Sequence, residues 1–287
     1  SSTKNEGAAN LTTKVAGGTI DIGNSTTGAY SLTGLSGNDT LKGNGNADTI
    51  IGGNGDDTID GRGGNDIINA GGGDDIITGK AGGDTLEGGS GNDTFKVDSG
   101  SDIINDLGGA AGGQSDILIV DSGATATASN IKSFTAGSTT KNLGTATLNS
   151  KAGTTTTINM SSAGSGNGFT LGGNSGVDTL TGSNYNDIIT GSGGDDIISA
   201  GQGNDTITGG ADNDDLTGGA GNDTFNISAG SDVINDLSTG DDIVVTGGSV
   251  TANNVSDFVA DADTTKSVTV SVPESTLKVS VPAFPVS

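Results

Sequence analysis

Apolar residues recur through much of this chain at intervals of nine. Set in rows from Gly34, the sequence reads GLSGNDTLK, GNGNADTII, GGNGDDTID, GRGGNDIIN, AGGGDDIIT, GKAGGDTLE, GGSGNDTFK and VDSGSDIIN. The eighth place is held by Leu41, Ile50, Ile59, Ile68, Ile77, Leu86, Phe95 and Ile104. A second block of seven rows, Gly173 to Asn235, puts Leu180, Ile189, Ile198, Ile207, Leu216, Phe225 and Ile234 there. The last three places, as in Thr58-Ile59-Asp60, alternate polar, apolar, polar and predict a short strand with a buried centre. The glycine-rich residues before them predict a tight turn. No helix carries a period of nine at this glycine density, whereas a solenoid does, each row giving one strand and one turn and two rows making a coil.

Outside the blocks the pattern changes to plain alternation. "NDLGGAAGGQSDILIVDSGATATASNIKSF" and "NDLSTGDDIVVTGGSVTANNVSDF" are alike, and each follows its block directly. "STTKNLGTATLNSKAGTTTTINM", "DTTKSVTVSVPESTLKVSV" and the opening "SSTKNEGAANLTTKVAGGTIDI" form a second set of similar segments. Alternation such as Val268-Val270-Val272 and Leu277-Val279-Val281 predicts β-strands or hairpins. The expected fold class is all-β: two parallel β-rolls (β-solenoids), separated and flanked by small strand or hairpin caps. The expected domains are an N-terminal β cap (1–33), a first roll of eight rows (34–105), a central β linker or cap (106–172), a second roll of seven rows (173–235) and a C-terminal β cap (236–287). Capping is required because an open roll exposes unpaired strand edges and apolar side chains.

Composition sharpens the problem. Of 287 residues only 30% are hydrophobic and 3% aromatic, while 54 are glycine. Two aliphatic side chains per coil cannot offset the conformational entropy of ordering eighteen residues. Cysteine, histidine and tryptophan are absent, which removes disulfides, thiolate zinc sites, a cysteine nucleophile and a histidine base. The net charge of −24 argues against nucleic acid as a partner. The longest apolar run, Ile117 to Val120, is too short to span a membrane as a helix. The chain opens Ser1-Ser2 without a signal-peptide pattern, so it is read as processed, trimmed, or exported by a route that needs no N-terminal signal.

The acidity is ordered. The sixth place of every row is aspartate: Asp39, Asp48, Asp57, Asp66, Asp75, Asp84, Asp93 and Asp102, then Asp178, Asp187, Asp196, Asp205, Asp214, Asp223 and Asp232. Stacked turns would hold these carboxylates about 5 Å apart, where like charges repel. A hard divalent cation resolves this, since Ca²⁺ takes six to eight oxygens from carboxylates and backbone carbonyls.

The rows match the nonapeptide G-G-x-G-x-D-x-U-x, and GGNGDDTID and GGSGNDTFK do so at every defined position. In this the chain resembles the RTX (repeats-in-toxin) family of calcium-binding β-rolls, and among them its surface-layer-like or filament-forming members. The resemblance covers 135 of 287 residues in fifteen rows. It implies right-handed parallel β-rolls with Ca²⁺ held between a turn and the turn one coil later. It also implies type I secretion by a bacterium and folding outside the cell. Carried over, the metal sites lie along Asp39–Asp57–Asp75–Asp93 and Asp48–Asp66–Asp84–Asp102 in the first roll. In the second they lie along Asp178–Asp196–Asp214–Asp232 and Asp187–Asp205–Asp223. Neighbouring pairs suggest about eleven ions, whose charge would nearly cancel −24. Asn46, Tyr185 and Asp212 replace the fourth-place glycine, which puts those turns in question. The rows from Val97 and Ile227 lack the leading glycines and are expected to close each roll weakly. Asp56, Asp74 and Asp195, in the fifth place, are read as solvated neighbours and not ligands.

Enzymatic readings find no support. H-E-x-x-H needs histidine and G-x-S-x-G does not occur. The "TGKAGG" around Lys80 lacks the Ser or Thr of a phosphate loop and sits within the register. No catalytic or cofactor-binding residue is assigned. The favoured expectation is a secreted calcium-binding structural protein that folds on extracellular Ca²⁺ and self-assembles at the cell surface as a sheet or filament. Its partners would be calcium ions, other copies of itself and a cell-surface glycan or lipopolysaccharide. The alternative is a calcium-folded segment of a larger secreted adhesin, toxin or hydrolase, serving as a spacer or folding module.

Overall fold

The computed structural model describes residues 9–13, 16–108, 115–253, 255 and 268–270. The regular structure among them is β-strand without helix, and the strands pair in parallel. Two compact units result, one of Ser1–Asn149 with Ser162–Asn167, the other of Ser150–Ser161 with Gly168–Ser287.

In the first unit successive rows alternate between two sheets. Thr40–Lys42, Thr58–Asp60, Ile76–Thr78 and Thr94–Val97 stack in one. Tyr30–Thr33, Thr49–Asn54, Ile67–Gly72, Thr85–Ser90 and Ser101–Ile104 stack in the other. The register joins residues eighteen apart, so Leu41, Ile59, Ile77 and Phe95 form one inward column and Leu32, Ile50, Ile68 and Leu86 the other. The second unit repeats the scheme with Leu171, Ile189, Ile207 and Phe225 facing Leu180, Ile198, Leu216 and Ile234. All fifteen eighth-place side chains are at most 1% exposed, so the narrow space between two sheets is the whole core of each roll.

The flanking segments extend these ladders. Ala9–Thr12 pairs with Tyr30–Thr33 and Thr19–Asp21 with Thr40–Lys42. Ile117–Val120 continues from Thr94–Val97, and Thr125–Ile131 from Ser101–Ile104. In the second unit Thr157–Asn159 and Thr170–Gly172 precede the rows. Asp242–Val245, Ser249–Ala252 and Val268–Val270 follow them. The strand expected at Leu277-Val279-Val281, and Val272, fall outside the described residues.

Glycine sets how closely the coils stack. At Gly82, with φ +145°, an added Cβ would lie 1.7 Å from the Gly64 carbonyl oxygen one coil below. Asp212 keeps the left-handed turn with φ 75°, as its row requires. Asn46 and Tyr185 do not adopt positive φ, and their turns are built differently, as described below.

Candidate metal centre

Each sixth-place aspartate ends a turn and begins a strand, so the sheet fixes its backbone. The Asp39 carbonyl accepts the Thr58 N–H at 2.9 Å, and the Asp57 carbonyl accepts that of Ile76 at 2.9 Å. The side chains are thereby stacked in columns, one along each line of turns. Every sixth-place aspartate of the fifteen rows is buried, at most 2% exposed.

Along each column the backbone N–H of one aspartate donates to Oδ1 of the aspartate a coil later. The distances are 2.7 Å for Asp39 to Asp57, 2.7 Å for Asp57 to Asp75 and 2.9 Å for Asp75 to Asp93. The facing column runs Asp48 to Asp66 to Asp84 to Asp102. The second unit repeats this as Asp178–Asp196–Asp214–Asp232 and Asp187–Asp205–Asp223. The structure thus brings together all fifteen candidates, in the four lines the eighteen-residue spacing implied.

The second oxygen is different. Oδ2 of Asp57, Asp66, Asp75, Asp84 and Asp102, and of Asp196, Asp205, Asp214, Asp223 and Asp232, is buried without a hydrogen-bond partner. Beside Asp57, Asp66, Asp84, Asp196, Asp214 and Asp223 these oxygens sit in the space where the first-place glycine lacks a side chain; Ala70, Val97, Ala200 and Ile227 hold the first place in the other four rows. A Cβ on Gly52 would lie 2.4 Å from Asp57 Oδ2 and 2.3 Å from the Ala70 carbonyl oxygen of the next coil. On Gly191 it would lie 2.3 Å from Asp196 Oδ2 and 2.5 Å from the Gly209 carbonyl oxygen. Carboxylate and carbonyl oxygens therefore share one small volume into which no donor points. Buried acceptors left this way are costly, and a hard cation satisfies both at once. Among the described residues no three acidic side chains gather closely enough to hold an ion alone, so backbone carbonyls must supply part of any coordination shell.

The electrostatics agree. Burial pushes the carboxyls of Asp66, Asp75, Asp102, Asp196 and Asp205 up to about 7, opposed by the N–H bond to Oδ1 and increased by like-charged neighbours. Burial likewise raises Asp93, Asp223 and Asp232 to about 6. Ionised carboxylates in this setting need a positive partner.

Several residues were not singled out from the sequence. Asp116 and Asp241 each prolong a column, accepting from Asp93 N–H and Asp223 N–H at 2.9 Å. The signal was present: residues 236–244 keep the nine-residue register, with Asp241 sixth and Ile243 eighth, whereas five extra residues precede Asp116. Asp106 and Asp236, directly after the blocks, each accept two N–H groups, from Gly88 and Gly89 and from Gly218 and Gly219. The fifth-place residues form an outer ladder of opposite sense. Asn38 Oδ1 accepts from Asp56 N–H at 3.0 Å, Asp56 from Asp74 at 2.9 Å and Asp74 from Asn92 at 2.8 Å, all exposed. Asp195 accepts from Asn213 N–H in the same way. Lys80, in a turn with φ 73°, pairs with Asp98.

A family model described as the RTX calcium-binding nonapeptide repeat matches the chain in four copies, at residues 33–68, 69–104, 172–207 and 199–234. No curated protein matches it. Repeats of that description bind Ca²⁺, are typical of secreted bacterial proteins and form β-rolls that are typically structural.

Proposed function

Since this chain, through residues 33–104 and 172–234, belongs to the RTX calcium-binding nonapeptide repeat family, we propose that it is a secreted structural protein whose two rolls fold on extracellular Ca²⁺. The observation that carries this is the set of ten buried, unpartnered Oδ2 atoms, with a carbonyl oxygen of the next coil close beside those of Asp57, Asp66 and Asp196. The interior sixth-place aspartates would hold the ions. Bound Ca²⁺ supplies the charge and the missing electrostatic partner; the chain's own contribution is a stack of turns whose carbonyls and carboxylates are already aligned. Because the sites exist only when coils stack, binding and folding are one equilibrium. At the ~10⁻⁴–10⁻³ M affinities usual for extracellular modules, the chain stays unfolded in a calcium-poor cytosol and folds after export.

The rolls would then serve as building blocks that assemble at a cell surface. Ala9–Thr12 and Thr19–Asp21 stand last in their sheets among the described residues, and the sequence repeats similar segments at the start, middle and end of the chain. Strand edges of that kind accept further strands, and heterologous contacts propagate without closing. The test is circular dichroism with light scattering while Ca²⁺ is raised from excess chelator to about ten millimolar, above the affinity range of such modules. β signal appearing together with growing particles is the expected outcome. Folding at constant monomer size would leave a calcium-folded spacer within a larger secreted protein, and full β signal in chelator would refute the calcium dependence.

A further inference from the structure

The columns do not begin as they continue. In the first coil of each column, the second-place residue of the row turns its N–H onto the aspartate of the same row. Leu35 N–H donates to Asp39 Oδ2 at 3.2 Å, and Asn44 N–H to Asp48 Oδ2 at 2.8 Å. Asn174 N–H donates to Asp178 Oδ2 at 2.7 Å, and Ser183 N–H to Asp187 Oδ2 at 2.6 Å. In later coils, up to the last row of each roll, the second place takes a left-handed conformation even where the residue is not glycine, with φ 73° at Arg62, 73° at Lys80 and 85° at Ser192. No such bond forms there, and Oδ2 of Asp66, Asp84 and Asp196 is left without a partner.

Three of the four first turns are also locked by a side chain. Asn44 Oδ1 accepts the Asn46 N–H at 2.7 Å, Asn174 Oδ1 the Gly176 N–H at 2.9 Å and Ser183 Oγ the Tyr185 N–H at 3.2 Å. This explains why Asn46 and Tyr185 stand where other rows need glycine: with the turn closed by a side chain, the fourth place stays out of the left-handed region. The coil beneath offers no carboxylate either. Oδ1 of Asp48 and Asp187 accepts from Tyr30 and Phe169, and Oδ1 of Asp178 from Thr156. The far ends close likewise, Asp116 Oδ2 accepting from Gly108 N–H and Asp241 Oδ2 from Ser238 N–H, both at 2.7 Å.

We infer that Asp39, Asp48, Asp178 and Asp187 are not calcium ligands but metal-independent caps, their Oδ2 atoms closed by peptide N–H donors, so that Ca²⁺ is confined to the coils above them. This rests on the calcium reading of the rolls and adds where that calcium stops. Each of these N–H groups occupies a lone pair of Oδ2 and sets its positive end toward the space a cation would take, so that a cation could enter only if the turn were rebuilt. The first coil of each column thus holds its shape without metal and offers a preformed face on which the first calcium-dependent coil can stack.

The test is an anomalous difference map from calcium-loaded crystals. Peaks are expected within the 2.3–2.6 Å range of calcium–oxygen bonds from interior Oδ2 atoms, such as those of Asp66 and Asp205, and none at that range from Oδ2 of Asp39, Asp48, Asp178 or Asp187. A peak at any of these four overturns the inference; calcium at no aspartate at all would instead refute the calcium reading of the rolls. In solution, Asn174→Ala removes the side-chain lock of one cap. Native mass spectrometry at saturating Ca²⁺ should count the same number of ions as in the wild type, while the folding midpoint rises about twofold. Loss of an ion, or an unmoved midpoint, overturns the capping role.

Discussion

Asp75→Asn should act with opposite sign in the presence and absence of calcium. Asp75 is 1% exposed, its Oδ1 accepts the Asp57 N–H at 2.7 Å, and its Oδ2 has no partner. Asparagine keeps the Oδ1 acceptor and the shape but removes the charge. Without metal, burial first, and then Asp93 and Asp57, raise this carboxyl from 3.8 to about 7. A folded-state value above the unfolded one means that the neutral form favours folding. That contribution is complete below the unfolded value and is lost as pH rises through about 7. At pH 7.5 the ionised group therefore opposes metal-free folding by up to about 4 kcal/mol, at 1.36 per unit, and Asn abolishes this. With Ca²⁺ present the same change deletes a charged ligand, a loss of about 2 kcal/mol. Spread over about five ions linked to one roll, 2 kcal/mol moves the calcium midpoint up only about twofold. The assay is far-UV circular dichroism, titrated with Ca²⁺ and, separately, with urea in chelator at pH 7.5. More residual structure in chelator together with a raised calcium midpoint is expected. A variant with less structure in chelator and an unmoved midpoint would refute the assignment of Oδ2 as a metal-facing acceptor.

Three further outcomes follow from the same geometry. Gly82→Ala places a Cβ 1.7 Å from the Gly64 carbonyl oxygen at φ +145° and should cost several kcal/mol. Gly45→Ala meets nothing within 4 Å and should leave the melting temperature in calcium almost unchanged; equal effects would contradict the coil spacing. Lowering pH from 7.5 to 5 should raise the Ca²⁺ needed for folding, because protons compete for carboxyls held near 6 to 7, and should increase metal-free structure, both read by dichroism in buffered calcium and in chelator. Asp106→Ala frees the N–H groups of Gly88 and Gly89 and should destabilise the end of the first roll by about 1–3 kcal/mol, seen as faster amide exchange at those two glycines with little change nearer Asp57.

What the sequence determined by itself is the repeating unit. A period of nine with one apolar side chain and one aspartate per row leaves two thin sheets as the only way to bury Ile59 or Ile77, and those residues are buried as the alternation requires. The aspartate columns were legible too, since two rows per coil bring Asp57 beside Asp75. Only the tertiary structure separated the two oxygens of each carboxylate. Oδ1 is fixed by an N–H from the coil below, whereas Oδ2 accepts an N–H from its own row only in the first coil, where the second place is turned differently, as between Ser183 and Ser192 although the residue is the same. That difference comes from what lies beneath: Asp178 under Ser192's own Asp196, but the Phe169 backbone under Asp187. Likewise Asp116 joins its column across five extra residues because the strand Ile117–Val120 continues the sheet, a pairing that no local spacing encodes. A row of nine specifies a turn and a strand; the neighbouring coil decides whether that turn is closed by a peptide N–H or left open to a cation.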